Sequence, residues 1–372
     1  MNKIYKRTKG ITLIALVVTI VILLILATVT ISMTLSNNGL FGKAKNATAT
    51  YKQAESNEIA ALNDITTAID TSLENQNTEK TVANGKGEDI LSTTDNTAIT
   101  DDNGNTVTIP AGFKIASDSA TKQEDGIVIE DKDGNQYVWI PVADIANYKR
   151  TDFGKNDPSA YSSFSETLAN DEQTSVSLYH GYYIGRYEAG DKESTTNKVM
   201  RSSSIITNTV TVKKVQAPYN YVTRDQAITL ATGIKASESY KATTKLCSGY
   251  AWDTAINFIQ NKVANYAISS NQGNYKDTTF NYIDITGATQ TKASGSNILI
   301  PTGETTPVCN IYDIGGNDWE YTTEYCSFSD YPCVHRGGSY GDNYSLVPAG
   351  FRSCNSTTYS DFSISFRPTL YM

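Results

Sequence analysis

The sequence is poor in the residues that most metal sites and nucleophilic sites use. Its 372 residues include two histidines, His180 and His335, and five cysteines without a Cys-x-x-Cys pair. A histidine-rich metal site is therefore excluded, and a His-based catalytic triad would have to use one of two isolated candidates. For each histidine, an ordinary hydrogen-bonding role is the more frequent one.

Positive charge is also scarce. The chain has 31 Lys and Arg residues against 39 Asp and Glu residues, which gives a net charge of -8 and a pI near 5.0. Because phosphate binding needs a basic face, this balance argues against nucleic acid as a partner. Tyrosine is plentiful, with 24 residues. The composition is typical of a surface protein.

The cysteines allow one or two disulfides if the domain is exported. Their pairing cannot be read from the sequence. Cys326 and Cys333 are near enough along the chain to close a loop. The five cysteines are Cys247, Cys309, Cys326, Cys333 and Cys354.

The amino terminus has the pattern of a membrane anchor. Residues 1–10 carry four basic side chains, and residues 11–33 carry no charge. As a helix, these 23 residues would rise about 34 Å, enough to cross the hydrocarbon core of a bilayer. The basic flank stays inside and the rest is exported. The apolar run is too long for a typical cleaved signal. The sequence thus predicts a protein of the cell membrane or cell surface.

The junction around Gly10 and Ile11 resembles the type IV prepilin leader. The resemblance implies that a prepilin peptidase cuts after Gly10, that Ile11 becomes the new amino terminus, and that the membrane and other pilins are partners. Pilins usually have Glu at the fifth mature position, where its carboxylate neutralises a neighbour's terminal amine. This chain has Ala15 there. Processing is therefore expected, whereas assembly into a fibre stays open.

Three further segments follow. Residues 34–75 predict a stalk helix, with a break near residues 37–39 and apolar residues at three- and four-residue spacing. Residues 76–124 are polar and predict a linker with a β-hairpin. The Asp-rich turns at 101–105 and 131–135 lack the Glu of a calcium loop, so they indicate hairpin turns. Residues 125–372 form the predicted head.

The head contains several linked motifs. Residues 310–321 read Asn-Ile-Tyr-Asp-Ile-Gly-Gly-Asn-Asp-Trp-Glu-Tyr, residues 336–340 read Arg-Gly-Gly-Ser-Tyr, and Gly-Phe-Arg follows at 350–352. Their order and spacing resemble the formylglycine-generating-enzyme branch of the C-type lectin fold. The resemblance implies an α+β chain, with a long helix followed by a lectin-like domain of short antiparallel sheets.

The motif residues also have a physical role of their own. Paired glycines allow positive φ and the close packing of a large ring, and a planar guanidinium can bind a carboxylate with two hydrogen bonds inside a core. We therefore expect a rigid scaffold built by Trp319, Arg336, Gly337, Gly338, Arg352 and Arg367.

The resemblance implies a copper site and a calcium site, and the residues at both places can be compared with those of the enzymes. The enzymes place two copper-binding cysteines after the Gly-Gly-Ser-Tyr motif, where this chain has Asp342 and Val347. Neither replaces a thiolate, so we expect a protein that is not an enzyme and requires no cofactor. The enzymes also hold a structural calcium at the 310–321 turn. Asn317 and Glu320 could bind one, or Glu320 could pair with an arginine.

The tail has a limited alphabet. Residues 325–371 contain no Lys, Glu, Gln, Trp or Met, whereas Tyr, Ser, Asn and Asp are frequent. Antibody binding loops have this composition. It also resembles the output of diversity-generating retroelements, with 337–367 as the variable tail; a strand-and-turn composition is the alternative. The expected ligand-binding residues are Tyr340, Asp342, Asn343, Tyr344, Ser345, Ser353, Asn355, Tyr359 and Asp361.

The sequence therefore predicts a pilin-like display protein whose head binds a protein, a glycan or another cell-surface ligand. Two other interpretations are kept. The first is a structural minor pilin whose head serves assembly alone. The second is an oxidoreductase of the formylglycine-generating type.

Overall fold

The structure is a computed structural model of the chain. It describes residues 13–35, 39–76, 80–157, 163–192, 206–207, 210–234, 241–284 and 286–372. Gly10 and Ile11, where leader cleavage is predicted, lie outside these residues. The chain divides into two compact units, Met1–Thr78 and Glu79–Met372.

The first unit contains helix α1 (Leu13–Leu35) and helix α2 (Leu40–Gln76). Within the described residues, α1 provides the one apolar stretch long enough to cross a membrane, and none of its side chains is buried. Its threonine hydroxyl groups donate hydrogen bonds to carbonyl oxygens one turn earlier in the helix. Thr28 Oγ1, for example, donates to Leu24 O at 2.7 Å. Polar groups are thereby satisfied inside an apolar helix. The helix fits a membrane anchor or a signal sequence.

Helix α2 lies where the stalk helix is predicted. The predicted break falls partly on residues 36–38, which are outside the described residues. Tyr51, Ile59, Leu62 and Ile65 form the predicted apolar stripe, and each is more than half exposed. An amphipathic helix gains stability by covering such a stripe. Within the described part of its unit, α2 leaves the stripe open.

The second unit contains helices α3 (Asn170–Tyr179), α4 (Arg224–Gly233) and α5 (Gly249–Gln260). The α+β class is confirmed. In chain order its strands are β1 (Thr97–Thr100), β2 (Thr106–Ile109), β3 (Phe113–Ile115), β4 (Val128–Asp131), β5 (Gln136–Pro141), β6 (Phe164–Ser165), β7 (Gly181–Gly185), β8 (Gly190–Asp191), β9 (Val210–Thr211), β10 (Ala217–Pro218), β11 (Thr243–Leu246), β12 (Phe280–Ile283), β13 (Thr289–Lys292), β14 (Trp319–Cys326), β15 (Cys333–Arg336), β16 (Arg352–Asn355), β17 (Ile364–Phe366) and β18 (Pro368–Tyr371).

Residues 80–124, which fall within the predicted linker at 76–124, contribute apolar side chains to the second unit. Val82, Ile99 and Phe113 are at most 3% exposed and belong to a hydrophobic core that also contains Trp139. Strands β1 and β2 do pair as a hairpin, and β3 adds to a larger sheet. The polar composition comes from the turns, whereas the apolar residues between them enter the core. An average over the segment hides this alternation.

A six-stranded sheet forms the centre of the unit, in the order β11-β18-β7-β5-β4-β3, and all of its neighbouring strands are antiparallel. Both of its faces are covered. Along β5, Val138 and Ile140 enter the core that contains α5, while Tyr137 and Trp139 enter the core on the other side. Successive side chains of a strand point to opposite faces, so β5 is apolar on both faces from Tyr137 to Pro141.

A second sheet has the order β16-β15-β14-β17, and β6 also pairs with β14. Strands β14 and β17 are parallel, whereas β14, β15 and β16 are antiparallel. Residues 337–351 connect β15 to β16, and residues 356–363 connect β16 to β17. This sheet therefore carries both loops of the predicted binding tail.

Candidate ligand-binding surface

Strand β14 gives the second sheet two different faces. Glu320 lies opposite Arg336, and Tyr321 lies opposite His335. Because side chains alternate along a strand, charged residues collect on one face and aromatic residues on the other. The inner face is defined by Glu320, Glu324, Arg336 and Arg352, and the outer face by Trp319, Tyr321, His335, Ser353 and Asn355.

The inner face is held by a buried ion network. Arg336 donates to Glu324 Oε1 at 2.7 Å and to Asp253 Oδ1, on α5, at 2.8 Å. Arg352 Nε donates to Glu324 Oε2 at 2.9 Å, and Arg150 reaches the same oxygen at 2.7 Å. Burial alone would raise the pKa of Glu324, but the charges of Arg336 and Arg352 outweigh burial and lower it to about 2. The network fixes β14, β15 and β16 against α5.

Glu320 and Arg367 form a second buried pair. Arg367 Nε donates to Glu320 Oε2 at 3.0 Å, and Arg367 NH2 donates to Glu320 Oε1 at 2.6 Å. Burial raises the pKa of Glu320 to about 7, although Arg367 acts in the opposite direction. Asn317 Oδ1 accepts from Asn274 Nδ2 at 2.8 Å and from Ile300 N at 3.2 Å. The side-chain oxygens of both predicted calcium ligands accept hydrogen bonds within the protein, and Glu320 pairs with an arginine, which is the alternative that the sequence also allows.

Sequence reasoning missed two buried carboxyl groups beside this pair, Asp318 and Glu188. Both are fully buried, and both oxygens of Asp318 have no hydrogen-bond partner within the described residues. Burial, reinforced by neighbouring carboxylates, raises the pKa of each well above its ordinary value. In the described part of the chain, no three His, Cys, Asp or Glu side chains converge on a metal-sized site.

Two glycines set the start of the first tail loop. Gly337 and Gly338 have φ values of 92° and 73°. A Cβ on Gly338 would lie 2.5 Å from Val347 O, so a side chain would push the loop away. Gly337 O accepts from Tyr275 Oη at 2.6 Å, which ties the turn to the interior. Only glycine fits this backbone path without strain.

In the first tail loop, three of the predicted binding residues are half-buried and one is exposed. Asp342 accepts from Ser339 N and Ser339 Oγ at 2.9 and 2.8 Å, while Tyr344 N donates to Asp277 Oδ1 at 3.1 Å. Asp342, Asn343 and Tyr344 are half-buried, and Ser345 is exposed. The loop is thus held largely through its backbone, which leaves side-chain atoms accessible.

Tyr340, one of the predicted ligand-binding residues, is buried. Its side chain is 7% exposed. Its ring lies 6.4 Å from the ring of Phe362 in the second tail loop, and its backbone N–H donates to Asn317 O at 2.8 Å. A large aromatic ring gains more from burial than from solvent exposure. Tyr340 therefore joins the two loops from below instead of lining the surface.

The second tail loop and β16 supply the other predicted residues. Ser353, Asn355, Tyr359 and Asp361 are all half-buried. Tyr359 O accepts from Tyr321 Oη at 2.9 Å, and Asp361 Oδ1 accepts from Ser363 N at 3.1 Å. As in the first loop, the backbone is anchored and part of each side chain faces solvent. Two apolar residues that the sequence did not single out, Leu346 and Phe362, are 65% and 44% exposed.

His335 is a buried residue of the outer face. It is 4% exposed, and its ring centre lies 4.5 Å from that of Trp319. Asn355 Nδ2 lies 3.1 Å from His335 Nε2. Burial lowers the pKa of His335 to about 3, so the ring is neutral at pH 7 and accepts from the amide. Its role is to support Trp319 and Asn355.

No disulfide joins Cys326 and Cys333, the two cysteines that are near enough in sequence to close a loop. All five cysteines are free thiols. Cys326 packs with Cys354 and Val334 on the inner face, whereas Cys333 packs with Tyr321 in another cluster. The alternation of side chains along β15 separates Cys333 from Cys326, although the two are close in sequence.

Comparison with known proteins gives a loose resemblance. No protein-family model and no curated protein matches the chain. Among solved structures, Treponema denticola variable protein 1 is 13% identical and covers 64% of this chain and 96% of its own, with a TM-score of 0.36. CarF is 12% identical, covering 52% and 87%, with a TM-score of 0.32. PvdO from Pseudomonas aeruginosa is 14% identical, covering 66% and 98%, with a TM-score of 0.38.

Proposed function

We propose that the protein is a membrane-anchored display protein whose second unit binds a macromolecular ligand. The tail surface comprises Asp342, Asn343, Tyr344, Ser345, Ser353, Asn355, Tyr359 and Asp361. One observation carries the proposal: the backbone of the two tail loops is hydrogen-bonded to other parts of the second unit, while these polar side chains are half-buried or exposed. A rigid loop with adaptable polar and aromatic side chains binds without a large ordering cost. The ligand class is a protein, a glycan or another cell-surface molecule.

The finer parts of the proposal rest on the sequence motifs. The head is a C-type-lectin-like domain of the formylglycine-generating-enzyme branch, residues 1–10 are removed by a prepilin peptidase, and residues 337–367 are diversified. Co-expression with a prepilin peptidase should lower the mass of the chain by the mass of residues 1–10. Gly10→Val should prevent this cleavage. A reverse transcriptase gene beside the coding region, with a near-copy of the tail that differs at adenines, is expected. Absence of that pair removes diversification.

An oxidase activity is not proposed. The positions that the resembling enzymes use for copper are Asp342 and Val347, and the Asp342 carboxylate accepts from Ser339. Purified protein should therefore take up no stoichiometric Cu(I) and should not accelerate thiol oxidation. Stoichiometric copper with oxygen consumption would contradict this.

The binding proposal can be tested with the full chain in nanodiscs. Arrays of glycans and of cell-envelope proteins serve as probes, and a triple variant, Asn343→Ala, Tyr344→Ala and Tyr359→Ala, is compared with the unchanged protein. We expect the strongest array signal to fall at least tenfold in the variant, with an unchanged melting temperature. Tyr51→Ala, on α2, is the matched control and should keep the signal. If the triple variant binds equally and fibre assembly changes, the minor-pilin interpretation is correct.

A further inference from the structure

A cleft of about 550 Å³ opens on the second unit away from the tail surface. Helix α4, strand β11, the segment 165–169 and the end of β14 form its walls, and none of its lining residues belongs to the tail loops. The volume accommodates a small organic molecule. Any ligand here would be separate from the one that the tail is proposed to bind.

Arg224 is the unusual residue of this cleft. It is 5% exposed, and within the described residues it has no carboxylate partner. Its NH1 group donates to Glu324 O at 3.1 Å and to Pro332 O at 3.4 Å, while its Nε is buried without a partner. By contrast, the buried Arg336 and Arg367 each bind carboxylates. A buried cation without a counter-ion is costly, so an external anion would complete the site.

The groups around Arg224 favour an anion with an apolar body. The Tyr325 ring lies 4.4 Å from the guanidinium carbon of Arg224, and this ring is 52% exposed. Leu168, Ile228 and Tyr250 provide further apolar and aromatic surface. The positive charge of the guanidinium can pair with a carboxylate, while the rings and aliphatic side chains contact the remainder of the ligand.

The acidic residues of the cleft do not oppose such a ligand. Glu172 accepts from Tyr148, Ser248 and Tyr371 at 3.0 to 3.3 Å, so its charge is dispersed. Glu166 accepts from Thr323, and its other oxygen has no partner among the described residues. Burial, reinforced by Glu324, raises the pKa of Glu166 to about 8. At pH 7 it is a neutral acid that can donate a hydrogen bond.

We propose that this cleft binds a small organic monocarboxylate with an aromatic or similarly flat apolar body, with its carboxylate on Arg224 and its body against Tyr325 and Ile228. The site is independent of the tail surface. It adds a second, small-molecule ligand to the protein.

The test is calorimetric titration of the full chain in nanodiscs with phenylacetate and with phenylacetamide, which differ in the charged group. Phenylacetate should bind at least tenfold more tightly than the amide. Arg224→Gln should weaken phenylacetate at least tenfold and leave the amide unchanged. Ile228→Trp, which fills the cleft without altering Arg224, should abolish both, while Tyr344→Ala in the tail should change neither.

Three results would overturn the proposal. They are equal affinity for phenylacetate and phenylacetamide, unchanged phenylacetate binding in both Arg224→Gln and Ile228→Trp, and inorganic sulfate binding as tightly as phenylacetate. The last result would indicate an anion site without selectivity for carboxylates. If Arg224→Gln fails to fold, Ile228→Trp and the amide comparison still decide. Loss of tail binding in Tyr344→Ala with intact phenylacetate binding would separate this site from the proposed display function.

Discussion

The two faces of β14 differ in burial and in charge, although alternating residues of one strand form both. On the inner face, Glu320 and Glu324 are fully buried and each is paired with arginine. On the outer face, Trp319 is half-buried and lies beside loops whose polar side chains reach solvent. The buried ion pairs fix the strands, because a charge in the core cannot shift without losing its partners. The comparison teaches that one strand can bury paired charges on one face and lie beside partly exposed loops on the other.

The largest effect is expected from Arg336→Met. The change leaves Glu324 and Asp253 with one fewer partner each, and breaking one side of a buried ion network costs about 3–5 kcal/mol. Chemical denaturation of the full chain in detergent measures the loss. Arg150→Met is the matched control, because Arg150 binds the same carboxylate from a position that is 20% exposed. An equal loss in both variants would show that depth within the network does not matter.

Gly338→Ala should rank second. Gly338 has a φ of 73° and its Cβ would meet Val347 O, so we expect a loss of about 2–3 kcal/mol from strain and displacement together. Gly104→Ala is the control, since Gly104 has a similar φ of 79° and no atom lies within 4 Å of the place that a Cβ would take. That variant should lose about 1 kcal/mol. Similar losses in the two would mean that the close approach of the first tail loop contributes little.

Glu166→Gln should change the pH dependence of stability. The folded pKa of about 8 lies above the reference value of 4.5, so the folded state holds a proton that the unfolded state releases. This contribution is complete below pH 4.5 and is lost as pH rises through about 8. Between these limits the melting temperature of the unchanged protein should fall more steeply than that of Glu166→Gln. Parallel curves would contradict the assignment. Glu58→Gln, on the exposed α2, should follow the unchanged protein.

The smallest effects are expected on the outer loops. Tyr344→Ser and Ser345→Ala remove side chains that are half-buried and exposed, while the loop is held through backbone contacts. Each should change the free energy of unfolding by about 0.5 kcal/mol or less. The same denaturation assay measures them beside Arg336→Met. A loss above about 1.5 kcal/mol for either would remove the distinction between the two faces.

Sequence patterns located the elements but not all of the contacts. The uncharged run before residue 34 predicts α1, and the Asx-Gly turns predict the β1–β2 hairpin, because both signals depend on neighbouring residues. Local patterns predict a linker with a β-hairpin at 76–124. They do not reveal that apolar side chains of this segment share a core with Trp139, because that contact joins residues far apart along the chain. Tyr340 was misplaced for a similar reason: its burial depends on Phe362, in the other loop.

Partner choice was the part that sequence could not supply. That Arg336 and Arg367 would bind carboxylates could be expected from their chemistry, but Glu324 and Asp253 as partners follow from the pairing of β14 with β15 and from the position of α5. Arg224 carried no signal at all. Its site exists because α4 places it beside Tyr325. Within the described residues, Arg224 forms no ion pair with a carboxylate.

By itself, the sequence determined the apolar amino-terminal helix and the polar, tyrosine-rich tail, because charge and hydrophobicity are local properties of the chain. The α+β class was implied by the resemblance of the head motifs to a known family. Only the tertiary structure decided which tail residues reach solvent, which carboxylate meets which arginine and where a cleft remains. Those outcomes depend on residues far apart in sequence being brought together, as with Arg150 and Glu324, and packing alone sets such distances.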